Sequence, residues 1–112
     1  MVVYSRGDVV LVGFVFSDES GEKLRPAVII SSTAYHRARQ EVVVEAITSN
    51  IGRRLLGDSS IADWKIAGLL FPSQATGVIR TIKRAMIHQK LGSLSASDME
   101  AIDRSLRGCL GL

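Results

Sequence analysis

The chain is predicted to be mainly β with some α: a small antiparallel barrel carrying short helices and one C-terminal helix. Three observations predict it. Short runs rich in Val and Ile recur at Asp8–Phe16, Ala27–Ile30, Glu41–Ile47 and Val78–Ile82, too brief for helices and suited to a pleated surface. The first three runs are separated by only ten residues each, which favours antiparallel neighbours over crossover connections. Only the stretch after Ser95 keeps apolar residues at helical spacing. In sum, five to seven strands, one or two helical turns and a final helix are expected. A chain of 112 residues suits a single domain over 1–112 with one core.

The first run, Asp8–Phe16, is almost wholly apolar, as in a strand covered on both faces. Gly13 in its middle predicts a bulge or a sharp barrel bend. Ser17–Glu22 follows as a polar, acidic loop with Ser20-Gly21 as its turn. Two readings fit it: a solvated hairpin tip, or a flap over whatever Arg25 faces. Ala27–Ile30 is a buried strand, and Pro26, lacking an N–H, is expected at its first position. Thr33–Arg39 has length for about two helical turns. Glu41–Ile47 is a third strand ending in Thr48-Ser49-Asn50, residues that either bond their own backbone in a turn or present donors in a row.

Ile51–Ser60 holds two glycines and the pair Arg53-Arg54, a basic surface loop that is either simply solvated or meets phosphate. Ser60–Asp63 is a possible short strand. Trp64, the only tryptophan, suits a core or interface anchor better than a base-stacking platform. Val78–Ile82 is a strand with Arg80 and Thr81 as its polar members, Lys83–His88 adds a helical turn, and Leu91–Leu94 returns to an extended or turn state. Ser95-Ala96-Ser97-Asp98 matches a capping box, with Asp98 expected to reach back to Ser95. Met99, Ile102, Leu106 and Leu110 then form one apolar stripe, and Gly108 and Gly111 are expected to fray the end.

Several function classes lose support. The single cysteine, Cys109, excludes an intrachain disulfide and a cysteine-based metal site. His36 and His88 lie far apart without a second ligand nearby, so both are expected as surface or capping residues, with no metal and no cofactor. No Walker or GxGxxG pattern follows a strand, and no nucleophile elbow appears. The N-terminus lacks signal-peptide character and no apolar run could span a bilayer, so a cytoplasmic, membrane-free protein is expected. Net charge is +3, which mildly favours an acidic partner.

What remains is a pair of strand-end features. Arg25 stands at the mouth of one strand and Thr48-Ser49 at the end of the next. If the two strands are antiparallel neighbours, a guanidinium and a hydroxyl meet at one rim of the sheet. Such a pair suits attack of an RNA 2′-OH on the adjacent phosphorus, because preorganised donors can stabilise the charge on the phosphorane oxygens without a metal.

The sequence resembles the MazF/PemK (Kid) toxins of type II toxin–antitoxin systems. The resemblance is carried by Arg6-Gly7-Asp8-Val9-Val10-Leu11-Val12, by Lys23-Leu24-Arg25-Pro26-Ala27-Val28-Ile29-Ile30 and by Ala46-Ile47-Thr48-Ser49-Asn50. It continues through Asp63-Trp64, Ala67-Gly68-Leu69, Pro72-Ser73, Ile79-Arg80-Thr81-Ile82 and Leu91-Gly92-Ser93-Leu94-Ser95. It implies an SH3-like barrel homodimer and a sequence-dependent, metal-independent endoribonuclease acting on single-stranded RNA. Its products would carry 2′,3′-cyclic phosphate and 5′-hydroxyl ends, and a cognate antitoxin would place its tail in the RNA groove.

Carried over by residue, the family's catalytic Arg and Thr fall on Arg25 and Thr48, and an RNA-contacting position falls on Ser49. Arg53, Arg54 and Arg80 are further candidate RNA contacts. Guanidinium groups stay protonated far above neutral pH, so Arg25 suits charge stabilisation or proton donation rather than a general base. Two departures stand out. The loop Asp18-Glu19-Ser20-Gly21-Glu22-Lys23 displaces Glu22 from the Ser-Glu-Gln pattern of several members, and Gln74-Ala75-Thr76-Gly77 has no acid where some relatives carry one. A non-catalytic gyrase-binding toxin of the same fold, such as CcdB, or an inactive member are the alternative readings. Phe14, Phe16, Trp64, Leu69, Leu70 and Phe71 could supply either a dimer interface or a core.

Overall fold

The computed structural model describes residues 3–15, 21–52 and 54–112. Its elements in chain order are β1 (Asp8–Val15), β2 (Glu22–Ile29), α1 (Thr33–Ala38), β3 (Glu41–Thr48), β4 (Ser59–Ile61), β5 (Ser73–Lys83), a 3₁₀ turn (Arg84–Met86), β6 (Ile87–Ser93) and α2 (Ala96–Leu110). The strands form one antiparallel sheet in the order β4-β5-β3-β2-β1-β6, curled into a half-barrel. This is the predicted mainly-β architecture with its short helices and C-terminal helix.

Strand β1 is covered on both faces over most of its length, which explains why it reads as a continuous apolar run rather than an alternation. Val10, Val12, Ala27, Ile29, Val42 and Val44 fill the inner face, with Phe14, Ile82 and Ile87. Val9, Val28, Ile47 and Ala75 point the other way, under Ile102 and Leu106 of α2 and Ala67 and Leu69 of the 62–70 turn. Each fully buried Val or Ile contributes roughly 1.5–3 kcal/mol of burial free energy. The curl is strong enough for Arg80 of β5 to lie 5.0 Å from the ring centre of Phe14 on β1, although these strands are not neighbours.

Several sequence expectations change in detail. Strand β2 starts at Glu22, so Pro26 lies inside it, opposite Leu11. Pro26 instead marks where pairing with β3 stops: Ala27 faces Ala46, and no outer pair forms. A residue without an N–H suits that position. Gly13 carries no bulge; the irregularities of this ladder lie in the partner strand β6, where Leu91 and His88 are the extra residues opposite Val9–Val10 and Leu11–Val12. Strand β5 begins at Ser73, five residues before the predicted start, because β3 and β4 both pair with that segment. His88 belongs to β6 rather than to a helical turn.

The final helix begins as predicted, Ser95 Oγ accepting from the Asp98 N–H at 3.2 Å. The carboxylate of Asp98 does not close a capping box. It is buried and accepts from the N–H groups of Ala62 (3.1 Å) and Asp63 (2.9 Å), tying α2 to the 62–70 turn. Gly108 stays helical, and Gly111 caps the end in a left-handed conformation instead of fraying it. His36 is buried rather than exposed. Its Nδ1 lies 3.1 Å from the Tyr4 carbonyl, which can only accept, so that nitrogen carries a proton, and Ser31 Oγ is free to donate to Nε2 at 2.6 Å.

The Arg6-Gly7-Asp8 motif is scaffold. Arg6 donates to the Ile30 carbonyl (2.8 Å) and pairs with Asp103 of α2 (2.5 Å). Asp8 accepts from the Ser5 N–H (2.8 Å) and Ser93 Oγ (3.1 Å), joining the start of β1 to the end of β6. The 62–70 turn crosses β6 with the two backbones in contact. A Cβ on Gly68 (φ +79°) would lie 2.1 Å from the Leu91 carbonyl oxygen, and one on Gly92 would lie 2.6 Å from the carbonyl carbon of Ala67. Gly68→Ala should therefore cost roughly 3 kcal/mol or more, from overpacking plus left-handed strain. Gly108→Ala, in a helix with open space around it, should add up to about 1 kcal/mol. Thermal unfolding of both variants checks this; equal melting temperatures would contradict it.

Candidate active site

The register of β2 and β3 sets the site. Continuing Ala27↔Ala46 outward by two positions brings Arg25 opposite Thr48. Beyond Pro26 the two strands part: β2 follows β1, while β3 follows β5 through Ile47↔Ala75 and Thr48↔Gln74. A bulge in β5 sharpens the parting, and there Thr76 Oγ1 donates to the Ala46 carbonyl at 2.9 Å. The gap is a cavity of about 600 Å³. It is lined by Leu11 of β1, Pro26 and Arg25 of β2, Thr48 and Ser49 at the end of β3, Leu69, Leu70 and Phe71 of the segment before β5, and Gln89 and Leu91 of β6.

Among the described residues, Arg25 is the only charged one lining this cavity. Its side chain is exposed, with one nitrogen donating to the Leu24 carbonyl at 3.2 Å. Thr48 Oγ1 accepts from the Asn50 N–H at 3.1 Å, and Asn50 Oδ1 accepts from the Gly52 N–H at 3.4 Å. Both sequence readings of this segment thus coexist. The side chains build a turn, and because the Thr48 oxygen is used as an acceptor, its O–H remains a donor for a ligand. A cation beside the Thr48 and Ser49 hydroxyls, in a largely apolar cup, can grip an anion and stabilise charge developing on it.

Of the other candidate RNA contacts, Ser49 lines the cavity. Arg54 lies away from the cavity and donates to Ser60 Oγ. Arg80 is committed to Phe14 on the inner side of the curl. Arg53 and the acidic loop, apart from Gly21 and Glu22, lie outside the described residues. A second cavity of about 680 Å³ beside α1 is lined by Arg37, Arg39 and Arg84. There Arg84 already caps the carbonyls of His36 (2.7 Å) and Arg39 (3.2 Å), and Arg39 is paired with Glu41. No group of three or more His, Cys, Asp or Glu among the described residues is placed to hold a metal ion. No helix among them is long and apolar enough to cross a membrane.

Residues 5–110 match the family of PemK-like, MazF-like toxins of type II toxin–antitoxin systems. The chain belongs to that family. Its solved relatives include an endoribonuclease from a mycobacterial species in complex with its cognate antitoxin, 22% identical over 97% of this chain and 96% of that one, TM-score 0.77. The Mycobacterium tuberculosis toxin MazF-mt6 is 22% identical over 94% of this chain and 97% of that one, TM-score 0.77. A chain of the Deinococcus radiodurans MazE–MazF complex is 18% identical over 99% of each, TM-score 0.80. At these identities the structural likeness establishes the MazF-like fold. No curated protein matches the chain.

Sequence reasoning passed over Glu45, the acid inside the third strand. It is fully buried on β3, three residues before Thr48, and neither carboxyl oxygen has a hydrogen-bond partner. Burial, and to a lesser extent the charge of Asp58, push its pKa up to about 8. The signal was an acid replacing an aliphatic residue amid Val42-Val43-Val44 and Ala46-Ile47. The folded chain therefore holds a proton that the unfolded chain loses near pH 4.5, so folding stability should fall as pH rises from about 4.5 to about 8. Glu45→Gln should flatten that slope and be the more stable protein at pH 8. Denaturant unfolding at several pH values checks this; parallel curves for the two proteins would contradict it.

Proposed function

We propose that the chain is an endoribonuclease toxin that cuts single-stranded RNA by metal-independent transesterification at the Arg25–Thr48 rim. The observation that carries this reading is the meeting of Arg25, the one charged residue among the described residues lining the cavity, with Thr48 on the parting strands β2 and β3. In the proposed reaction the 2′-OH gives its proton to water and the 2′-oxygen bonds to phosphorus as the bond to the 5′-oxygen breaks. This leaves a 2′,3′-cyclic phosphate and a 5′-hydroxyl. Arg25 and the Thr48 O–H hold the non-bridging oxygens while negative charge builds on them, and Arg25 also gives a proton to the leaving 5′-oxygen and takes one back from water. The apolar lining and the hydroxyl of Ser49 hold the flanking nucleotides.

The MazF-like relatives solved with antitoxins support a second role for the same cavity. Leu70 and Phe71 are 83% and 62% exposed in the lining of the cavity, a surface suited to apolar side chains of an antitoxin tail that displaces RNA. A homodimer and a cytoplasmic setting complete the reading.

The test is cleavage of a mixed-sequence single-stranded RNA with EDTA present, with the fragment ends mapped. Wild-type protein should leave 5′-hydroxyl ends at a limited set of sites. Arg25→Ala should lose about 10²-fold or more of this activity, as removal of a charge-stabilising donor does. Its melting temperature should hardly change, because an exposed side chain supports little core. Equal cleavage by the variant would overturn the site. Intact RNA from folded wild-type protein would replace the ribonuclease by a binding toxin.

A further inference from the structure

The cavity does not end the exposed face on which it lies. Two residues along β1 from Leu11, on the same side of the strand, is Gly13, whose cross-strand neighbour Leu24 lines the cavity. Over Gly13 the side chains of Glu22 and His88 meet, Oε1 to Nε2 at 2.8 Å. A Cβ at Gly13 would come 2.5 Å from the Glu22 carboxyl carbon and 2.7 Å from His88 Nε2. A glycine inside a strand weakens it, so the space is kept at a cost to the fold. The pair repays little of that cost, since its side chains are 44% and 46% exposed and surface pairs stabilise weakly. His88 is adjacent in sequence to Gln89 of the cavity lining. The strand rise sets the pair about 7 Å beyond Leu11, a step of the order of one nucleotide.

Resting on the ribonuclease reading above, we propose that the Glu22–His88 pair reads one nucleobase of the bound RNA, next along from the cleaved phosphate, and favours guanine. The carboxylate repels phosphate and must meet donors. Guanine alone places two adjacent donors, N1–H and N2–H, on its Watson–Crick edge, matching the two carboxylate oxygens. Adenine and cytosine set an acceptor beside their amino group, and uracil flanks its N3–H with carbonyls. Single-stranded RNA exposes that edge, and the imidazole of His88 orients the carboxylate while offering a flat surface to the base.

The test is end-mapping of cuts in a randomised single-stranded RNA by wild type, Glu22→Gln, His88→Ala and Gly13→Ala. The last variant keeps both polar groups and pushes them off their positions. Wild type should show guanine favoured at least about fivefold at one fixed position beside the cut. All three variants should lose that preference and spread their cuts to other sites. No guanine preference in wild type, or one that survives in the variants, overturns the inference. Lower melting temperatures with an unaltered preference would make the pair only a clasp between β2 and β6. If Arg25→Ala is inactive while these cut patterns match wild type, the base-reading role falls and the ribonuclease reading stands. Uncut RNA with wild type overturns both.

Discussion

The parting of β2 from β3 beyond Ala27 and Ala46 is the constraint on which the site depends. Up to that point the two strands share a ladder; past it each is held by its other neighbour, β1 for one and β5 for the other. Two features keep the split open: Pro26, which has no N–H, and the Thr76 bulge, whose hydroxyl takes the carbonyl of Ala46. Because both strands stay paired on their outer sides, Arg25 and Thr48 project from rigid backbone rather than from a loop. Rigid support matters for charge stabilisation, which works only where the donors are already in place.

The remaining wall is delivered by packing of the tightest kind. Gly68 and Gly92 let the 62–70 turn lie backbone to backbone on β6, and Asp98 of α2 ties down the N–H groups of Ala62 and Asp63. Leu69 is thereby buried, while Leu70 and Phe71 are left exposed in the lining of the cavity. Asp8 and Arg6 join β1 to β6 and α2 in the same way. Many of the residues that the family motifs share here thus build the frame around the cavity rather than its chemistry.

The fold was largely legible because apolar runs, turns and one capped helix are local signals. So was the meeting of Arg25 and Thr48, since antiparallel neighbours place the start of one strand beside the end of the next. Long-range partners were not legible. Asp98 looked like a capping-box acid because that pattern is local, whereas its true donors lie 35 and 36 residues away. His36 looked like a surface residue because Tyr4 and Ser31 enclose it only once the sheet has formed. Gly13 looked like a bulge because the Glu22–His88 pair above it joins two strands that do not neighbour each other. Glu45 was hidden by its strand pattern, and its burial appears only once β3 lies between Val28 of β2 and Ile79 of β5.

The most direct test of the central claim is chemical-shift mapping with a single-stranded oligonucleotide lacking the 2′-hydroxyls needed for cleavage. Shifts centred on Arg25, Thr48, Ser49, Gln89 and Leu70, with Arg25→Ala weakening binding, are the predicted result. Shifts centred instead on Arg37, Arg39 and Arg84 beside α1, with the β2–β3 gap unperturbed, would contradict the account.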